Sequence, residues 1–156
     1  MLVFLDIDGV MVPAIGHRRP EVLADGFVAF SNKSARALDR LITEYDATVV
    51  LTTSHKSNYS IEEWEKIFKN RGIHSKKVKS IYPNKDHLSR KEEILNWFSL
   101  NNTEEDFVII DDDKSLNGLP KDLKAHLILT SSYVGLTEEH LNDVKRIVAS
   151  NKKLPC

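Results

Sequence analysis

Three short apolar runs limit what this chain can fold into. They are LVFL at residues 2–5, ATVVL at 47–51 and FVII at 107–110, with a further run, HLIL, at 126–129. Each is continuous rather than alternating, as expected of strands buried on both faces. A shorter strand candidate spans 78–81. Helix signals lie between the runs. Ser31 or Asn32 can cap a helix with Ala35, Leu38, Leu41 and Ile42 on one face. Ser60 with Glu63, and Ser89 with Glu92, are capping boxes, and a last helix is expected from about 137 to 150. The alternation predicts an α/β chain with a doubly wound, mostly parallel sheet and helices on both faces.

In such sheets ligands bind beyond the carboxyl ends of the strands. Here the first run ends in Asp6-Ile7-Asp8-Gly9, the second in Thr52-Thr53-Ser54 and the third in Asp111-Asp112-Asp113. If these converge on one rim, several carboxylates share a small space. A hard divalent cation relieves their repulsion, and an all-oxygen set suits Mg²⁺. A Mg²⁺ site with open positions commonly serves a phosphate. Arg90 and Lys91, at the start of a helix, are the cations available to it.

The bulk properties fit one domain, expected over residues 1–150, with 151–156 as a frayed tail. The 156 residues carry 41% hydrophobic and 29% charged side chains, and the net charge is −1, so nothing in bulk points to nucleic-acid or membrane binding. The single cysteine, Cys156, cannot form an internal disulfide or suggest a disulfide-linked partner, and a reducing, cytoplasmic setting is expected. The opening run has no basic flank and meets Asp6 at once, unlike a signal peptide. No stretch has the apolar length of a membrane span. Oligomeric state is not encoded in any of these features.

The strand ends resemble a known pattern. Phe4-Leu5-Asp6-Ile7-Asp8-Gly9-Val10 is similar to the first motif of the haloacid dehalogenase (HAD) superfamily of phosphatases. Val49-Val50-Leu51-Thr52-Thr53 resembles its second, Arg90-Lys91 before Ile94-Leu95 its third, and Val108-Ile109-Ile110-Asp111-Asp112 its fourth. All four occur in the family's order across nearly the whole chain. The resemblance implies a Mg²⁺-dependent phosphomonoesterase. Asp6 would be the nucleophile, Asp8 the general acid and base, and Thr52 a donor to the transferring phosphoryl group, with Thr53 and Gly9 beside it. Arg90 or Lys91 would neutralise developing charge. Mg²⁺ would be held by Asp6, the carbonyl of Asp8, and Asp111 or Asp112. Residues 9–51 and 54–89 leave no room for a separate cap domain, so the match is to small capless members, similar to HAD domains linked to nucleic-acid repair. A phosphate on a nucleic-acid end is the leading substrate class. A flap carrying His17, Arg18 and Arg19, together with Lys56, would meet its backbone.

Two alternatives belong to other classes. A receiver domain, phosphorylated on Asp, is also doubly wound and also uses an acidic pair, a Thr or Ser and a Lys, though its phosphoacceptor ends the middle strand. A catalytically idle HAD-like module would bind a partner instead. His55 reads as a bystander, Trp64, Trp97 and Phe98 as core, and Asp113 as a solvated loop.

Overall fold

The structure, a computed structural model, describes residues 1–14, 20–81, 87–101 and 103–152. Five parallel strands form one sheet: β1 (Leu2–Leu5), β2 (Thr48–Leu51), β3 (Val78–Ser80), β4 (Phe107–Asp111) and β5 (Leu127–Leu129), in the order β3-β2-β1-β4-β5. The helices are α1 (Asn32–Tyr45), α2 (Ile61–Lys69), α3 (Arg90–Leu100), α4 (Lys121–Lys124) and α5 (His140–Lys152), with 3₁₀ turns at Ser54–Asn58 and Lys114–Gly118. A receiver would have the order 2-1-3-4-5; the order formed here is the other doubly wound type. No separate cap domain occurs among the described residues.

The start signals act as expected. Ser31 caps α1, and both capping boxes are closed in both directions, Ser60 with Glu63 and Ser89 with Glu92. The final helix starts at His140, later than the sequence suggests, and runs to Lys152, past the expected end of the domain at 150. Residues 153–156 of the expected tail lie outside the described residues.

Alternation along the strands divides the core in two. Val3, Leu5, Val49, Leu51, Val108 and Ile110 face α1, α2 and α5, whereas Leu2, Phe4, Val50 and Ile109 face α3 and α4. Trp64 is fully buried in the first layer, and Phe4 meets Trp97 and Phe98 at ring distances of 4.9 and 5.2 Å in the second. Each fully buried side chain of this size contributes about 1.5–3 kcal/mol.

Register then sets the site. Leu5 pairs with Leu51 on one side and with Ile110 on the other. The ladder continues one residue further, through Thr52 N–H to the Leu5 carbonyl (3.0 Å) and Asp6 N–H to the Ile110 carbonyl (3.1 Å). Asp6, Thr52 and Asp111 therefore stand side by side on three neighbouring strands. They have the same parity as Phe4, Val50 and Ile109, so they belong to the face over which α3 begins.

Candidate active site

Asp6 directly follows the central strand, Asp111 is the last residue of β4, and both are almost wholly buried. Arg90, the first residue of α3, reaches both through one nitrogen. Its Nη1 lies 3.2 Å from Asp6 Oδ1 and donates to Asp111 Oδ2 at 2.7 Å. Asp111 Oδ1 accepts from the Asp113 backbone N–H at 3.0 Å. Arg90 Nε is buried with no partner among the described residues. Thr52, also buried, sits on the other side of Asp6.

Burial pushes the Asp6 carboxyl up to about 8; Asp111 adds to this, and Arg90 opposes it. Burial raises the Asp111 carboxyl as well, with Arg90 again pulling it down. For Arg90, burial works against the charge, but Asp111 and Asp6 outweigh it and hold the guanidinium above its ordinary value. Asp6, Asp111 and Asp112 each offer an oxygen within 4.8 Å of the others. Ionised, three carboxylates against one guanidinium leave two negative charges, which a divalent cation would balance. The all-oxygen donors and the unmet charge fit a hard divalent metal.

Beyond Asp6 the chain turns sharply. The N–H groups of Val10, Met11 and Val12 all converge on the Ile7 carbonyl. Gly9 adopts φ +78°, and a Cβ there would collide with the Asp112 carboxylate. Thr130, following β5, donates to the Gly9 carbonyl at 2.8 Å, tying this turn to the far side of the sheet. Gly9→Ala is expected to cost at least about 1–2 kcal/mol from the left-handed backbone alone and to displace Asp112. The check is a lower melting temperature together with weaker Mg²⁺ binding by titration; an unchanged melt would contradict the crowding. Asp8 projects from this turn with an exposed side chain, and its Oδ2 lies 2.9 Å from His55 Nε2.

Against known protein families, residues 2–141 match the family described as the HAD domain in Swiss Army Knife RNA repair proteins. The chain belongs to that family. Searches of curated proteins and of solved structures gave no match. Membership implies phosphohydrolase activity, and the acidic cluster of this HAD domain could bind a metal ion.

The HAD domain gathers Asp6, Thr52, Arg90, Asp111 and Asp112 at one place, with Asp8 and Gly9 on the adjoining turn. Other expected residues lie elsewhere. Lys91 runs toward Gly118 instead of the carboxylates, because its neighbour Arg90 takes the inward position of the helix start. Thr53 has the opposite parity to Thr52. It is fully buried, and its Oγ1 caps the next turn by accepting from the His55 N–H at 3.3 Å. Lys56, expected at a nucleic-acid backbone, is buried with its Nζ 2.9 Å from Glu93 Oε2, at ion-pair distance but off the angle of a hydrogen bond. Asp113 caps the 3₁₀ turn at Lys114–Gly118 through the Ser115 N–H. His17, Arg18 and Arg19 lie outside the described residues.

One site neighbour, Thr130, is missed by the sequence reading, and another, His55, reads there as a bystander. Thr130 carried a usable signal, since it ends an apolar run as Thr52 does. His55 carried none: no local pattern relates position 55 to position 8. For Arg90 the expectation is sharp. Arg90→Met leaves two buried carboxyls without their partner, so kcat should fall about 10²–10³-fold, as when one preorganised donor is lost. Steady-state kinetics checks this; near wild-type kcat would move the role to another cation.

Proposed function

We propose that this chain is a Mg²⁺-dependent phosphomonoesterase that forms an aspartyl-phosphate on Asp6 and acts on the terminal phosphate of a nucleic acid. The observation that carries this is the level placement of Asp6, Thr52 and Asp111 at three strand ends, with Arg90 bridging the two carboxylates.

A carboxylate oxygen of Asp6 attacks phosphorus as the ester P–O bond breaks, and Asp8 gives a proton to the departing oxygen. Asp8 then takes a proton from water as that water attacks phosphorus, releasing inorganic phosphate and regenerating the Asp6 carboxylate. Thr52 donates to the transferring phosphoryl group, and Arg90 balances its charge. Asp6, the Asp8 carbonyl and either Asp111 or Asp112 would hold Mg²⁺, which when bound supplies charge neutralisation between Asp6 and the phosphate. Burial keeps Asp6 from ionising alone, so ion binding and loss of its proton go together.

Two points support a polymer substrate: the family description names RNA repair, and no cap domain closes over the site among the described residues. The net charge of −1 limits the electrostatic contribution, so binding should be modest. The test compares 5′- and 3′-phosphorylated RNA oligonucleotides with the matching mononucleotides, in Mg²⁺ and in chelator. A higher kcat/KM for an oligonucleotide, reduced by salt and abolished by chelator, is expected. A mononucleotide or sugar phosphate as the better substrate would overturn the polymer reading. Full activity in chelator would overturn the metal.

A further inference from the structure

We propose that His55 is a positioning residue for Asp8: its Nε2–H donates to Asp8 Oδ2 and leaves Oδ1 as the oxygen that exchanges protons with the leaving group and with water. This rests on the reading of Asp8 as general acid and base.

The contact is short, 2.9 Å, and joins the turn after β1 to the turn after β2. Its worth is not in stability. The Asp8 side chain is 63% exposed, and exposed pairs of this kind contribute little. What distinguishes it is that one partner is fixed and the other is not. The His55 backbone is held by Thr53 Oγ1 at 3.3 Å. Its ring stands edge-on to Phe27 at 5.4 Å, and Phe27 is packed in turn against Tyr59 and Trp64 at 5.6 and 5.3 Å. The segment bearing Phe27 is anchored by Arg71, which pairs with Asp25 at 2.6 Å and donates to the carbonyls of Phe27 and Val28. A rigid aromatic assembly thus presents Nε2 to a carboxylate that would otherwise rotate in water.

His74 and Asp39 form a similar pair at 3.1 Å. There the His side chain is 80% exposed, and the pair lies before β3, at the amino end of the sheet. The His55 pair sits at the carboxyl end, beside Asp6, where orientation has chemical consequences. With Oδ2 occupied, the proton carried on Oδ1 goes to the leaving oxygen as the P–O bond breaks. Oδ1 then recovers a proton from the attacking water, and His55 keeps its own proton throughout. A misplaced acid of this kind costs on the order of 10² in rate.

The test compares His55→Leu, which keeps an apolar contact with Phe27, and His55→Gln, whose side-chain amide can reach the place of Nε2. Both are assayed with an alkyl phosphate and with nitrophenyl phosphate in Mg²⁺. The Leu variant should lose on the order of 10² in kcat/KM on the alkyl ester, through kcat rather than KM, and much less in kcat/KM on nitrophenyl phosphate, whose first step needs no proton. The Gln variant should recover most of the loss. Equal losses of kcat/KM on both esters, a loss on the alkyl ester confined to KM, or a Gln variant as impaired as Leu would overturn the proposal. If the Leu variant does not fold, His55→Asn replaces it, because Asn is too short to reach Oδ2. If the wild-type protein hydrolyses neither ester, the phosphatase reading fails separately. The contact is then decided by imidazole ¹⁵N NMR of the wild-type protein: a proton on Nε2 of His55 supports it, and a proton on Nδ1 alone overturns it.

Discussion

Asp6→Asn is expected to abolish turnover and, in the absence of metal, to raise the melting temperature. An amide cannot attack phosphorus, so the loss of activity follows from the nucleophile's role. The gain in stability follows from burial. The Asp6 carboxyl titrates near 8 in the folded chain, against an ordinary value of 3.8, chiefly because burial disfavours its charge. Between those values the folded state holds a proton that the unfolded state has released. The unfolded state binds fewer protons there, so the stability of the metal-free wild-type protein falls as pH rises from about 4 to about 8. The size is of order a few kcal/mol. Asparagine has no such titration, and Arg90 keeps its 2.7 Å contact to Asp111. The advantage of the variant should therefore grow with pH across that window. Melts in chelator from acid to mildly alkaline pH measure it. A difference independent of pH, or measurable turnover by the variant, would remove Asp6 from this account.

Asp8→Asn should behave differently. Its side chain is exposed, so the melt should hardly move. Both chemical steps should slow by about 10²–10⁴-fold, the range for a lost general acid or base. The two steps separate by choice of ester. Nitrophenolate leaves without a proton, so the first step on nitrophenyl phosphate is largely spared. The second step still needs a base for water. Phosphorylated enzyme should therefore accumulate in this variant, with a burst of nitrophenolate matching the enzyme concentration. An alkyl phosphate should give no burst. Equal slowing with both esters and no burst with either would deny Asp8 the acid–base role.

Much of this arrangement is legible in the sequence because it depends on local rules. Continuous apolar runs marked β1, β2 and β4, and period-two alternation carried Asp6, Thr52 and Asp111 to one face. The capping boxes at Ser60 and Ser89 fixed where α2 and α3 begin, and hence where Arg90 enters the site. What depends on side chains meeting across the fold was not legible. Spacing to Ile94 leans only slightly toward Arg90 over Lys91, and the seating of α3 on the sheet is what separates them. Lys56 looks like a surface cation until Glu93, far along the chain, is seen buried against it. His55 gains a partner only because strand order brings the ends of β1 and β2 together.

The central claim is that phosphate passes through Asp6. The most direct measurement is an acid quench of the wild-type protein during turnover of a phosphate ester in Mg²⁺, followed by peptide mapping by mass spectrometry. One phosphoryl group on the peptide bearing Asp6, absent in chelator and absent from Asp6→Asn, is the expected result. Turnover with no phosphorylated peptide, or with the phosphoryl group on another residue, would contradict it.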